Sequence, residues 1–531
     1  MHAALDVPEV VELICTEIAA DRPKRLHAGL PILDYPSRCE DLARLACTCT
    51  SFIEPALDAL WSHQDTLIHL LRTIPEDVWD IIGMKEEAYD SDESDSCDSS
   101  EDEESLEIIF KRATTADDWT RFLFYSQRVK SFEDTSFYRK TSNVYDVLAA
   151  TFPGGFIFPR LESLNWYPNA QTLRRTSRLF LSPGITRIEL RASCFADERL
   201  PKLMTNLRAL KHIHISGPGS VAAVSRFICG QSDLETLVVD ELNLTAFAHI
   251  ARLPCLRVCW LWSQKFSHLP TAPNNSPLFP GLHNFECASL TSAPKLLEWT
   301  GSSLLEFRLS AKSWDAVPVK GDFRELYSAI ASHCRPDKLR EICIGKPCCA
   351  RVPPQHLAHY LVSVEELRPL FVFQNLVCVT LSHSPCVDLD DAAAVEMARS
   401  WPHIQELHFR SDTKHRITPR ITLEGIAAFA EHCPELEDLT ILFDATDVPK
   451  LKVKTSKWKR KTNRVAQYSL ERLDVGYSPV SPKPQRVAEF LCAIFPCLTS
   501  IHTPYLNEKE ATQDAQLVAS RKGWRRVQDA L

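Results

Sequence analysis

The stretch DDAAAVEMARSWPHIQEL, from Asp390 to Leu407, decides how the chain is read. Its first eleven residues read as an amphipathic helix, which the proline of SWP stops. IQELHF then follows as apolar, two variable, apolar, one variable, apolar, the pattern of a short strand with alternate side chains inward. Helix, proline break and strand make one supersecondary unit. Such a unit cannot bury its apolar face alone and must stack on a copy of itself.

Copies are present. The strand signal starts at 161, 185, 210, 234, 256, 282, 304, 339, 376, 404, 436, 470 and 498. Spacings are 22–26 residues as far as 304 and 28–37 beyond it. A stricter composite asks for Pro, then Leu or Ile two residues on, then an apolar residue three further. Composition alone gives roughly three matches. Nine occur, and seven fall in frame: FPRLESL, SPGITRI, LPCLRVC, FPGLHNF, WPHIQEL, CPELEDL and FPCLTSI. LEGIAAFAEHCP and PQRVAEFLCAIFP repeat the proline-stopped helix.

These repeats resemble the leucine-rich-repeat domains found downstream of F-boxes, without the regular Asn or Cys position after the strand. The fold class expected is α/β: an N-terminal helical F-box followed by an irregular leucine-rich-repeat solenoid, or horseshoe, over 156–505. An ordinary parallel sheet of alternating strands and helices is the structural alternative. A solenoid would offer a concave sheet with variable strand positions outward. Trp260 and Trp262 in LRVCWLWSQ, and His408 and Arg410 in IQELHFRSD, are the candidate substrate contacts there, because aromatic and Arg side chains anchor interfaces. Isolated surface residues are the plainer reading of each.

At the N-terminus, Val7, Val10, Val11, Ile14 and Ile18 fall at helical spacing. Asp6 and Glu9 are spaced as a capping box, with Pro8 in the first turn. Leu42, Leu45, Ala46, Cys49 and Ile53 repeat the stripe behind a Ser37/Glu40 box. Pro55 is expected to interrupt it before a third face of Leu57, Leu60 and Trp61. Three helices in about 60 residues have a marginal core alone.

VPEVVELI, then DLARLACTCTSF, then ALDALW resemble the F-box pattern. The run from Ser37 to Trp79, and ADDWTRFLFYSQRVKSF later, are similar to F-box proteins of mushroom-forming (basidiomycete-type) fungi. The resemblance implies docking on the Skp-type adaptor of a cullin (SCF) ubiquitin ligase through Val7, Pro8, Val10, Val11, Ile14, Leu42, Leu45 and Trp61. Residues 21–38 form a longer insert between the first two helices than the family has. A plain helical cap on the repeats is the alternative.

The domain boundaries expected are 1–62 for the F-box-like unit, 63–155 for a helical connector, 156–505 for the solenoid and 506–531 for a cap or tail. The connector holds an acidic, serine-bearing segment at 86–105, expected to be disordered. Its serines suit an acidophilic kinase, or the segment is a spacer. Residues 86–104 contain eleven acids and no base. Removing those eleven from a net charge of −9 leaves +2. No global field for nucleic acid or membrane follows, and neither partner is expected. KLKVKTSKWKRKTNR, residues 450–464, carries eight Lys or Arg and no acid. It is expected as an inserted basic loop: an import signal, a site for anions, a partner for the acidic segment or a solvated loop.

The remaining composition is that of a globular chain, with 45% hydrophobic and 24% charged residues. The 19 cysteines are scattered through apolar patterns, as reduced thiols are, and no signal peptide or bilayer-spanning run is read. Cytoplasm or nucleus is the compartment expected. No nucleotide loop, HExxH or GxSxG occurs. Cys47 with Cys49, and Cys348 with Cys349, lack zinc spacing, and the first pair is expected as packing on the second helix. No catalytic residue, cofactor or metal is expected. Two functions stand: a ligase adaptor selecting an unnamed protein substrate, or a repeat scaffold that never enters a ligase.

Overall fold

A computed structural model describes residues 7–20, 36–82, 107–133, 144–167, 170–196, 200, 204, 207–263, 278–300, 303–310, 319–345, 361–383, 387–411, 418–450, 453–456, 459–462, 465–503 and 515–531. The chain divides into two compact units, residues 1–235 and 236–531.

In the first unit five parallel strands pair in chain order: β1 (His63–Gln64), β2 (Ser131–Glu133), β3 (Ser163–Asn165), β4 (Arg187–Arg191) and β5 (His212–Ser216). In the second, ten follow the same rule. They are β6 (Thr236–Val239), β7 (Val258–Leu261), β8 (Asn284–Cys287), β9 (Glu306–Leu309), β10 (Glu341–Ile344), β11 (Cys378–His383), β12 (Glu406–Ser411), β13 (Asp438–Thr440), β14 (Arg472–Asp474) and β15 (Ser500–His502). Each is parallel to the next. An ordinary open α/β sheet reverses its strand order at a switch point. Neither unit does, so the architecture is a parallel repeat ladder.

Every recurrence of the apolar signal carries a strand, and each strand begins two residues after the signal. The reason lies in the proline. In Trp401–Ile404, Cys433–Leu436 and Phe495–Leu498 the fourth amide donates to the first carbonyl at 3.2–3.3 Å. That is a β-turn with proline second, where its fixed φ belongs. The turn drives its last residue inward: Ile404 and Leu436 are fully buried and Leu498 nearly so. The strand follows at once. Its second and fourth positions then enter the core, as Phe285, Phe307, Ile342, Val379 and Leu407 do. Each such side chain contributes about 1.5–3 kcal/mol by leaving water.

The helices stack in parallel with the strands. Ala293–Thr300 packs on Lys320–His333, and Asp391–Ser400 on Leu423–His432. Asp390 caps the third of these by accepting from the Ala393 amide at 2.9 Å. Asp391 ties that turn to the next, accepting from the Thr422 amide at 2.7 Å and its hydroxyl at 2.8 Å. The approach is close enough that a Cβ on Gly425 would lie 2.4 Å from an Asp391 carboxylate oxygen. Gln467, just before β14, ties the turn that precedes β14 to the one that precedes β13. Its amide donates to the carbonyls of Leu436 (2.7 Å) and Pro434 (3.2 Å) and accepts from the Leu470 amide (2.9 Å).

Two expectations change. The 63–155 connector is not purely helical: it holds β1, β2 and an antiparallel pair, Trp79–Ile82 with Glu107–Phe110. Neither β1 nor β2 follows a proline-led turn of the kind that precedes β12, β13 and β15. The basic stretch is not a plain loop, because Val453–Ser456 pairs antiparallel with Lys459–Thr462. Alternating Val453, Thr455 and Thr462 around a two-residue connection favour a hairpin. The acidic segment 86–105 and the Cys348–Cys349 pair lie outside the described residues. At the C-terminus the helix Ala515–Gln528 packs on Pro484–Ile494. Trp524 donates to the Ser478 carbonyl at 2.8 Å, and Gln528 bonds the backbone of Thr499 and Ile501 beside the last strand.

Candidate protein-interaction sites

Two surfaces carry side chains that the interior does not use. The first is the helical unit at the start of the chain: α1 (Pro8–Ala20), α2 (Pro36–Ala46) and α3 (Thr50–Trp61). Its core is small, comprising Val11, Cys15, Leu42, Phe52 and Ala56. The buried side of α1 therefore runs through Val11 and Cys15, one step round from the expected stripe. Val11 and Leu42, expected as docking residues, are 1% exposed and belong to this core. Val7 and Pro8 are exposed, and Val10, Ile14, Leu45 and Trp61 are half-buried. Two further apolar residues, absent from the expected set, are exposed on α1 and α3: Leu13 at 60% and Ile53 at 37%.

Local details also differ. α1 begins at Pro8, and the expected Asp6/Glu9 box falls on Asp6, which lies outside the described residues. α2 begins at Pro36, which puts Ser37 inside the helix rather than at its cap. The expected single stripe from Leu42 to Ile53 breaks at Cys47–Cys49, a turn outside α2 in which Cys47 is exposed while Cys49 packs against the core. Pro55 does not interrupt α3; it sits inside it. Of the 21–38 insert, only residues 36–38 are described, as the first turn of α2.

This unit is fastened to the ladder beside it. Arg128, its side chain 6% exposed, bonds Glu54 at 2.6 Å and also Asp58, both on α3. The same guanidinium lies 4.6 Å from the Phe124 ring centroid. Trp61 stacks on Tyr125 with centroids 4.5 Å apart. The Ser62 carbonyl accepts the amides of both Lys130 and Ser131, the latter the first residue of β2.

The second surface is the outward side of β7–β14. Register aligns the first positions as Asn284, Glu306, Glu341, Cys378, Glu406, Asp438 and Arg472. Third positions align as Trp260, Glu286, Arg308, Cys343, Thr380, His408 and Thr440. Three of the expected contacts stand on this face. Trp260 donates to Asn284 at 2.9 Å and stacks on Trp262 at 6.2 Å. His408 is only 9% exposed and is held by Thr440 at 2.9 Å. Arg410 continues β12 in register with Ser382, and its side chain is outside the described residues.

The charges on this face are unevenly matched. Arg308 pairs with Glu306, and Arg472 with Asp438 at 2.6 Å. Glu286, Glu341 and Glu406 have no Lys or Arg within 4.0 Å among the described residues. Burial raises the Glu286 carboxyl, and burial with the nearby Glu306 and Glu406 raises that of Glu341. Burial, helped by Glu406 and Glu341, pushes the Cys378 thiol up to about 12, so it is a protonated donor and not a nucleophile. Among the described residues no group of His, Cys, Asp or Glu could hold a metal ion, and no helix is long and apolar enough to cross a membrane.

No protein-family model matches the chain, and no curated protein matches it. Among solved structures it is similar to the crystal structure of the leucine-rich repeat-containing protein LegL7 from Legionella pneumophila. The identity is 13%, over 50% of this chain and 86% of that one, with a TM-score of 0.29.

Proposed function

We propose that the chain is an interaction protein that selects a protein substrate for a Skp–cullin ubiquitin ligase. The helical unit docks on the Skp-type adaptor, and the ladder face holds the substrate. No chemical step is assigned to the chain itself. The observation that carries this reading is the apolar side chains that α1 and α3 leave exposed. A unit whose described core is Val11, Cys15, Leu42, Phe52 and Ala56 leaves Val7, Leu13 and Ile53 partly in water, where further burial of each would be favourable. The F-box resemblance of the same helices supplies the partner.

The test is binding of the full chain to a purified Skp-type adaptor. Leu13→Asp should abolish it while leaving the thermal melt unchanged, since that side chain is 60% exposed. Equal binding by parent and variant would sink the docking role. A repeat scaffold outside any ligase is the second reading, and the ladder alone favours it. Native purification without cullin or Skp-type subunits would decide for the scaffold.

A further inference from the structure

We propose that the outward face of β8–β12 is a docking surface for an extended segment of a partner protein whose Lys or Arg residues recur every third position. The inference rests on the reading of the ladder as an interaction surface and not on the docking of the helical unit.

Three features point to that occupant. The first is the spacing of three carboxylates that have no Lys or Arg within 4.0 Å among the described residues, with only the His408 ring, 3.7 Å from Glu406, beside one of them. Glu286, Glu341 and Glu406 stand on β8, β10 and β12, every other strand, while β9 and β13 carry acids already paired with Arg308 and Arg472. Neighbouring strands lie about 4.8 Å apart, so alternate strands are roughly 9.6 Å apart. A partner chain in the extended polyproline II conformation advances about 3.1 Å per residue and presents every third side chain on the same face, about 9.3 Å apart. A cation on Glu341 and another on Glu406 are therefore three residues apart. Glu286 is two residues further along its strand, an offset that a long Lys or Arg side chain spans.

The second feature is the electrostatic conflict. Glu341 is the register partner of Glu306 on one side and of Cys378 on the other, with Glu406 next. Like charges at adjacent strand positions destabilise a sheet. A chain that keeps them on an otherwise well-packed ladder departs from local consistency, as binding sites do. A partner's cation removes the conflict, and complementary charge fixes register and partner choice.

The third is aromatic. Trp260 and Trp262 stack at the β7 end of the face, both half-exposed, with Trp262 hydrogen-bonded to Glu286. Indole faces take guanidinium and ammonium groups. A metal ion is a poor alternative, because carboxylates about 10 Å apart cannot share one.

The experiment uses the full chain and three labelled nonapeptides of equal length: one with Arg at positions 1, 4 and 7, one with three consecutive Arg, and one with Glu at 1, 4 and 7. The spaced Arg peptide should bind at least about tenfold more tightly than the clustered one, a difference of about 1.4 kcal/mol. E341Q/E406Q should cost it at least about tenfold, and Trp260→Ala should weaken it as well. Neutralising the acids of 86–104 should leave it unchanged. The Gln variants keep side-chain shape and relieve repulsion, so their melting temperature should equal or exceed the parent's. Failure of the spaced peptide to bind, indifference to spacing or to E341Q/E406Q, or dependence on 86–104 would overturn the proposal. If instead the Glu peptide binds, and Thr380→Arg on the same face alters that binding, the ladder remains an interaction surface and only the basic partner falls.

Discussion

Replacing Arg128 with Met should loosen the helical unit from the ladder without unfolding either. The guanidinium makes two charge-assisted contacts to α3 and one to the Phe124 ring. Buried bonds of that kind contribute about 1.5–3 kcal/mol each. Glu54 and Asp58, however, are 65% and 52% exposed and stay solvated when Arg128 is gone. Their share falls toward the surface range, about 1 kcal/mol each. The ring contact adds about 0.5–1 kcal/mol. The buried Nε has no partner, which subtracts from the total. About 2–3 kcal/mol remains, equivalent to about 30- to 150-fold in a local opening equilibrium. Amide hydrogen exchange measured peptide by peptide is the assay. Exchange in Thr50–Trp61 should accelerate by that factor in Arg128→Met, and by less in Arg128→Lys, which keeps charge but loses the fork. Exchange in β4 and β5 should not change. Acceleration below twofold in α3, or equal acceleration through residues 1–235, would refute the idea of a local fastening.

Gly425→Ala should destabilise the second unit by about 1–3 kcal/mol, read by denaturant titration, because the new Cβ meets the Asp391 carboxylate that ties two turns together. Gln528→Leu frees the Thr499 carbonyl and the Ile501 amide beside the last strand, and concentration-dependent association by light scattering is the expected result. The raised carboxyls of Glu286 and Glu341 hold protons more tightly folded than unfolded. Their contribution is therefore fully present below the unfolded carboxylate range and is lost as pH rises through the folded values. Stability of the second unit should rise as pH falls from neutral toward that range, and E286Q/E341Q should flatten the slope in thermal melts.

The ladder was legible because its punctuation has a mechanical cause. Pro402, Pro434 and Pro496 each set a turn whose last residue must point inward, and that fixes where Glu406, Asp438 and Ser500 begin their strands. Without such a turn, His63–Gln64 gave no periodic signal at all. The helical unit was legible as three helices but not in their phase. Val10, Val11 and Ile14 look alike as sequence, and only the packing of α3 against α1 chooses Val11 and Cys15 as interior. The face of β8–β12 was hidden for another reason. Trp260 stood out alone, whereas Glu286, Glu341 and Glu406 acquire meaning only when register sets them two strands apart.

That register has a consequence for how such a chain can vary. Consecutive ladder strands in the second unit are separated by very different lengths of chain, yet each pairs position for position with its neighbour. Extra residues are absorbed in the connections, and the spacing between strands is indifferent to them. Glu341 and Glu406 are 65 residues apart along the chain but only two rungs apart in space. The ladder thus works as a ruler with fixed graduations. Insertions between rungs can add loops, hairpins or modification sites without altering the distance at which a partner is read, whereas losing one rung would shift every mark beyond it.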